Sequence, residues 1–266
     1  MPDIVVYKID ELYRNMEVFE PINQLITDKT PNLKKILIDD AYIKDELTAV
    51  DGNIYALPMI ASEEVSQVYI VRKDWLNKLN IATPKTMDDF YDMLVKFRDK
   101  DPNGNGVQDE IPFVTRFRKN GLMQFTEPFG ITEEFYIKDG IVKYGAIDPK
   151  MKEALSFMHR LYQEELLDSE YIITDAKSWQ KKVSEQQAGV LFDWLARVDY
   201  FNTIVNHAEF EAILPPALEG NTPRTFYQMP KIRGNGAAAI SKNSKHKDKI
   251  VEMYDYIFCE EGLMLM

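Results

Sequence analysis

Cysteine is almost absent: the 266 residues contain one, Cys259. A single thiol excludes a disulfide framework and any cysteine-based zinc cluster, and reads as a small buried group. Histidine is scarce as well. His159, His207 and His246 stand alone, without metal or catalytic-triad spacing. No apolar run reaches the roughly 18 residues that a membrane helix requires. Positive charge is in deficit, with 32 Lys and Arg against 43 Asp and Glu and a net charge of -11. That balance excludes nucleic acid or an anionic membrane surface as the main partner. Internal repeats and low-complexity segments are also missing. No leader-like pattern opens the sequence, since "MPDIVVYK" reads at once as a strand, and "CEEGLMLM" stops within an apolar pattern. Both ends are therefore expected to be cut, the chain being a piece of a longer one.

What is present alternates. "DIVVY" (3–7) suits a buried strand, and short helices are expected at about 20–28 and 31–38, the second opened by Pro31. "DGNIYALP" (51–58) predicts a turn and a strand ended by Pro58; strand 66–72 and helix 73–79 follow. The stretch 86–100 has Thr86 at its N-cap, Asp88 and Asp89 in its first turn, and Phe90, Leu94 and Phe97 on one face, which predicts a helix. Asp139-Gly140 marks a hairpin turn within 135–145. The clearest helix is 148–167, with Met151, Leu155, Met158 and Leu161/Tyr162 as its apolar face. A helix at 176–187, strands at 188–194 and 236–242, and a closing helix at 245–262 complete an α/β pattern.

"DPNGNGVQDEIP" (101–112) is the densest polar stretch. Asp101, Asn103, Asn105 and Asp109 fall at positions 1, 3, 5 and 9 of a calcium loop, Gly106 at the sharp turn, and Val107 offers its carbonyl at position 7. Position 12, where an EF-hand has its bidentate Glu, is Pro112, and Glu110 is the nearby replacement. Two readings stand: a shortened calcium cage with a structural role, or an Asx-rich polar turn. Trp194 also admits two readings. It follows an apolar strand in "FDWLARVDYF", where its indole would either join the core or stack on a sugar, with Asp193 and Arg197 hydrogen-bonding hydroxyls. Trp75 reads as core, and Trp179 as undecided. Enzyme signatures are poor: "SWQK" (178–181) is too short to mean anything, and "GNGAAA" (234–239) runs into a strand rather than from a strand into a helix.

Taken in order, "PDIV…FEPINQLI", "DGNIYALP", "VRKDWLNKL…PKTMDDFYDML", "DPNGNGVQDEIP" and "GAAAISKNSKHKDKIVEMYDYIFCEEG" resemble family 1 of the extracellular solute-binding proteins. The likeness is to its lipoprotein-type branch, which serves carbohydrate ABC importers. It implies an α/β, periplasmic-binding-protein-like type II fold, with two lobes joined by a hinge and the first lobe incomplete. It is also similar to the alginate-binding proteins of this branch, which implies a structural calcium held by Asp101, Asn103, Asn105, Val107, Asp109 and Glu110. A looser likeness to maltodextrin-binding proteins implies a sugar-stacking role for Phe129 in "TEPFG" (126–130) and for Trp194. It also implies lobe one at 1–65 and 228–266, lobe two at 66–227, and Tyr55, Glu63 and Tyr227 near the crossings where a ligand would sit.

The resulting expectation is a binding protein, not an enzyme, that captures an oligosaccharide or related small solute in an interlobe cleft and presents it to an ABC transporter permease. It would be a monomer, extracellular, and tied to the cell surface only through a lipid anchor outside this chain. The alternatives are a carbohydrate-active enzyme, which needs a carboxylate pair about 5–10 Å apart across a cleft, and a sensor subunit on the same binding fold.

Overall fold

Apolar runs and amphipathic stretches become strands and helices largely where the sequence predicts them. The structure, a computed structural model, describes residues 2–60, 67–116, 121–218 and 231–265. In chain order its elements begin with β1 (Ile4–Tyr7), α1 (Ile9–Arg14), α2 (Pro31–Leu37), α3 (Ala41–Leu47), β2 (Ala56–Ile60) and β3 (Gln67–Arg72). Then come α4 (Lys73–Leu79), α5 (Met87–Asp99), β4 (Ile111–Val114), α6 (Met123–Thr126), β5 (Phe135–Lys138) and β6 (Ile141–Tyr144). The rest is α7 (Pro149–Gln163), α8 (Ala176–Ser184), β7 (Ala188–Trp194), α9 (Arg197–Ile204), β8 (Phe210–Ile213), β9 (Ile232–Ile240), α10 (Lys247–Ile257) and α11 (Glu260–Leu265). The chain divides into two compact units: unit 1, Met1–Glu64 with Met229–Met266, and unit 2, Val65–Gln228.

Unit 1 holds an antiparallel sheet in the order β1-β9-β2. Ile22, Leu33, Leu37, Ile43, Leu47, Ile54, Leu57 and Ile240 form the core beneath it. Pro58 does not end the strand as expected. It sits inside β2 at a register shift between Leu57 and Met59. Proline lacks an N–H, and a bulge on an edge strand is where a sheet tolerates that loss. The helix expected at 20–28 is a series of turns. The Ile22 N–H donates to Ile54 O (2.8 Å), and the Thr27 N–H donates to Thr30 Oγ1 (2.9 Å). These tertiary and local bonds win over helical spacing. The closing helix is two, α10 and α11, and Gly262 of the second packs against the Tyr256 carbonyl, where a Cβ would stand 2.0 Å from the oxygen.

Unit 2 is layered helix–sheet–helix around the sheet β4-β7-β3-β8, in which β4 runs parallel to β7 and the other pairs are antiparallel. Side chains alternate across it. Tyr69, Val71, Val190 and Phe192 face the layer containing Trp75, Phe90, Leu94, Phe97 and Leu161. Ile70 and Leu191 face Trp179, Val183 and Phe201 on the other side. Helix α5 starts at the expected N-cap and closes it as a capping box, with Thr86 Oγ1 accepting from the Asp89 N–H and Asp89 accepting from the Thr86 N–H. The hairpin turn is also as expected, with Asp139 at φ 55° and Gly140 at φ 75°. Helix α7 is rotated from its expected face. Met151, Ala154 and Leu161 are buried, whereas Leu155 and Tyr162 are exposed. The small Ala154 lets the helix approach closely, a contact that counting large apolar residues misses.

Gly189 is where the two aromatic helices close on the sheet. A Cβ there would lie 2.5 Å from Phe97 Cδ2, 2.9 Å from Pro112 O and 3.0 Å from Trp75 Cζ3. Gly189→Ala should therefore overpack the core and destabilise the protein by about 1–3 kcal/mol, measured as a lower thermal midpoint.

Candidate functional site

Because β4 runs parallel to β7 while β3 opposes it, the last residues of β4 and β7 share one sheet edge with the first residue of β3. Gln67 lies across from Trp194 there, and Val68 from Asp193. Open α/β sheets present ligands at the carboxyl ends of their strands. In unit 2 this edge is where the apolar core gives way to buried polar side chains: Gln67, Thr115, Arg116 and Asp193, joined by Gln124, Thr126 and Glu127 from the following segment.

Arg116 and Asp193 are its centre. Arg116 Nη2 donates to Asp193 Oδ2, and the Trp194 N–H donates to Asp193 Oδ1 (2.7 Å). The Arg116 guanidinium also lies over the Trp179 ring, 4.4 Å from its centroid. A charge this far from water persists only when paired, and Arg116 has both a carboxylate and an aromatic face. Arg197 stacks over Trp179 and Tyr200, at 5.9 and 5.1 Å. The Tyr69 hydroxyl donates to the Gln124 carbonyl, and burial, with a smaller contribution from Glu127, pushes its pKa well up, so it remains a neutral donor. Among the described residues, Thr115 Oγ1, Arg116 Nε and Gln124 Oε1 are buried without a hydrogen-bond partner. Such an edge, with amides, hydroxyls and a paired charge beside half-buried Trp194, suits a polyhydroxylated solute.

The predicted residues divide. Trp194, Asp193 and Arg197 come together at the end of β7, Trp194 and Arg197 half-buried and Asp193 fully buried. Phe129 does not join them. The turn Glu127–Phe129 sends its ring into a core with Ile131, Tyr136, Met151 and Ala154, which leaves no face for stacking on a sugar. Tyr55 is buried in unit 1, edge-on to Tyr13, with its hydroxyl donating to Asp51 Oδ2 (2.6 Å). Glu63 and Tyr227 lie outside the described residues. Arg116 was not anticipated. The one available signal was a cation ending the apolar run "IPFVTR" (111–116).

At the opposite end of β7 lies the 101–110 loop. Asp101 has φ 46°, and its Oδ1 accepts from the N–H groups of Gly104 (2.8 Å) and Asn105 (3.2 Å). Its Oδ2 accepts from the Gly106 N–H (3.1 Å), while Asn105 Oδ1 accepts from the Val107 N–H (2.6 Å). Asp109 accepts from Asn103 (3.2 Å), Asn105 (3.0 Å) and Gln187 (3.1 Å). Burial pushes the Asp109 pKa up, but these three donors outweigh it and hold the carboxyl below its usual range. Glu110 differs. Both of its carboxylate oxygens are buried with no hydrogen bond of ordinary geometry, and burial, helped by Asp101 and Asp109, raises its pKa against the weaker pull of the Glu110 and Asn103 N–H groups. Among the described residues no cluster of three or more His, Cys, Asp or Glu is arranged as a metal site. The loop's potential ligands are instead mixed hard oxygens: Asp101, Asn103, Asn105, Asp109, Glu110 and the Val107 carbonyl. That donor chemistry and the orphaned Glu110 oxygens fit calcium.

The family model described as bacterial extracellular solute-binding protein matches residues 2–263. The fructooligosaccharide ABC transporter substrate-binding protein FusA of Streptococcus pneumoniae is 36% identical over 192 residues, 66% of this chain and 36% of that protein. Solved structures of FusA with kestose and, as an EF-hand mutant, with fructo-nystose share 26% identity with TM-scores of 0.76 and 0.75. Each match covers 99% of this chain and 57% of theirs. The alginate-binding protein AlgQ2, solved without calcium ion, gives a TM-score of 0.75 at 25% identity, covering 98% of this chain and 56% of its own. The chain thus spans just over half the length of the solved relatives, and its aligned part covers 36% of FusA.

Removing either half of the buried pair, by Arg116→Met or Asp193→Asn, should cost about 3–5 kcal/mol. In a double-mutant cycle the combined loss should be smaller than the sum of the two, because the residues share one interaction.

Proposed function

The chain belongs to the bacterial extracellular solute-binding proteins, and from that premise we propose that the whole protein captures an oligosaccharide outside the cell and delivers it to the permease of an ABC importer. The observation that carries this reading is the polar edge of unit 2, where Trp194 stands beside the Arg116–Asp193 pair. The fructooligosaccharide-binding relative at 36% identity supports a carbohydrate as the solute. The half-buried indole stacks on the apolar face of a sugar ring, and Arg197 and the neighbouring amides take its hydroxyls. No bond is made or broken. The protein acts as a monomer, held at the cell surface by a lipid anchor, a location supported by a 27% identical relative described as lipoprotein LipO from Bacillus subtilis.

We also infer that calcium binds the 101–110 loop as a structural cation, through Asp101, Asn103, Asn105, Asp109, Glu110 and the Val107 carbonyl. When bound, the ion supplies a fixed positive charge for oxygens that hydrogen bonds leave unmatched. The buried Glu110 oxygens, which make no well-formed hydrogen bond, are the main support for this assignment. The ion does no chemistry on the solute.

Four measurements test these readings on the full-length protein. A bound fructooligosaccharide should raise the thermal midpoint, by about 2.7 kcal/mol of added stability at a hundredfold excess over Kd. Trp194→Ala should weaken binding about tenfold or more, equivalent to ~1.4 kcal/mol. No shift with any oligosaccharide would overturn the solute reading. For the loop, EDTA should lower the midpoint and calcium restore it. Glu110→Gln should abolish most of that calcium response while raising the midpoint in EDTA at neutral pH. The sign follows from the raised pKa: an ionised Glu110 opposes folding above its folded pKa, and that cost disappears as pH falls through it.

A further inference from the structure

The loop already has a cation of its own. Lys78 occupies the last turn of α4, a helix fixed to the core of unit 2 by buried Trp75 and Leu76. Its Nζ donates to the carbonyls of Asp101 (3.2 Å) and Pro102 (2.9 Å). It crosses the loop at Gly104, where a Cβ would lie 2.8 Å from the ammonium, and the φ of 77° at that residue independently favours glycine. The loop carries three carboxylates, Asp101, Asp109 and Glu110. The carbonyls that Lys78 holds are not among the oxygens assigned to the ion, so the ammonium and calcium can occupy the loop together.

We propose that Lys78 is a tethered counter-cation of the 101–110 loop, which keeps the loop folded without metal and lowers its affinity for calcium. This rests on the calcium reading above. The two effects have one cause. Without metal, the ammonium offsets the mutual repulsion of three carboxylates and ties down two carbonyls. With metal, the same positive charge repels a divalent ion. Lys78 is solvent-exposed, so the repulsion is screened and amounts to several-fold in affinity rather than orders of magnitude. The consequence is a loop tuned to stay intact at low calcium, at the expense of tight binding.

The test uses the full-length protein with Lys78→Met, which keeps the apolar stem, and Lys78→Arg, which keeps the charge. Calcium affinity is measured by competition with a chromophoric chelator, and thermal midpoints in EDTA. Lys78→Met should bind calcium about 3–10-fold more tightly at low ionic strength, by screened Coulomb repulsion. Its midpoint in EDTA should fall below that of the wild type. Lys78→Arg should keep both wild-type values, and the affinity gap should shrink in high KCl. A merely structural lysine would weaken both properties together, so weaker or unchanged calcium binding by Lys78→Met overturns the proposal. An unchanged or raised midpoint in EDTA overturns it too. A wild-type protein that takes up no calcium at millimolar concentration overturns the calcium reading itself, and this one with it.

Discussion

Strand β7 organises unit 2. It lies between β4 and β3, with helices covering both faces, so nearly every side chain along it is buried. A strand in that position can carry polar function only at its ends. At the first end, Gln187 donates from its side chain to Asp109 and accepts at its carbonyl from the Ile111 N–H (2.8 Å), clamping the oxygen loop to the sheet. At the other end, Asp193 and Trp194 meet Arg116. The strand between them is seven residues long, about 20 Å of extended chain. The cation loop and the solute edge are thus mechanically joined and chemically independent.

The charges follow the same division. At the solute edge the buried cation is paired, Arg116 against Asp193. The loop does the reverse. It concentrates carboxylates, satisfies Asp101 and Asp109 with N–H donors from the chain, and leaves the Glu110 oxygens buried without a well-formed hydrogen bond. An acidic chain of net charge -11 makes that concentration still less favourable. The resident ammonium of Lys78 is therefore an important part of the local charge balance.

Local signals were legible in the sequence, and long-range ones were not. The N-cap at Thr86, the Asp139-Gly140 turn and the apolar run that opens β7 each depend on a few neighbouring residues, and each was readable. The oxygen alternation from Asp101 to Asp109 was readable for the same reason. The pairing of Arg116 with Asp193 spans 77 positions, and nothing near either residue marks the other. Segment 20–28 has helical spacing at Ile22, Leu25 and Ile26, but the Ile22 N–H is taken by a carbonyl 32 residues away, at Ile54. Phe129 sits in a motif with a known role elsewhere, and here the turn around it directs the ring inward.

Gly189 gives β7 a further property. With no side chain of its own, it brings Phe97 and Trp75, themselves paired edge-to-face at 5.1 Å, against the backbone near the start of the strand. Water cannot reach those amides by a local fluctuation, because both faces and both neighbouring strands would have to separate. Opening the middle of the strand is therefore nearly the same event as unfolding unit 2. The two ends of the strand are thus carried by one cooperatively folded element, while the exposed loop beyond its first end retains its own local stability.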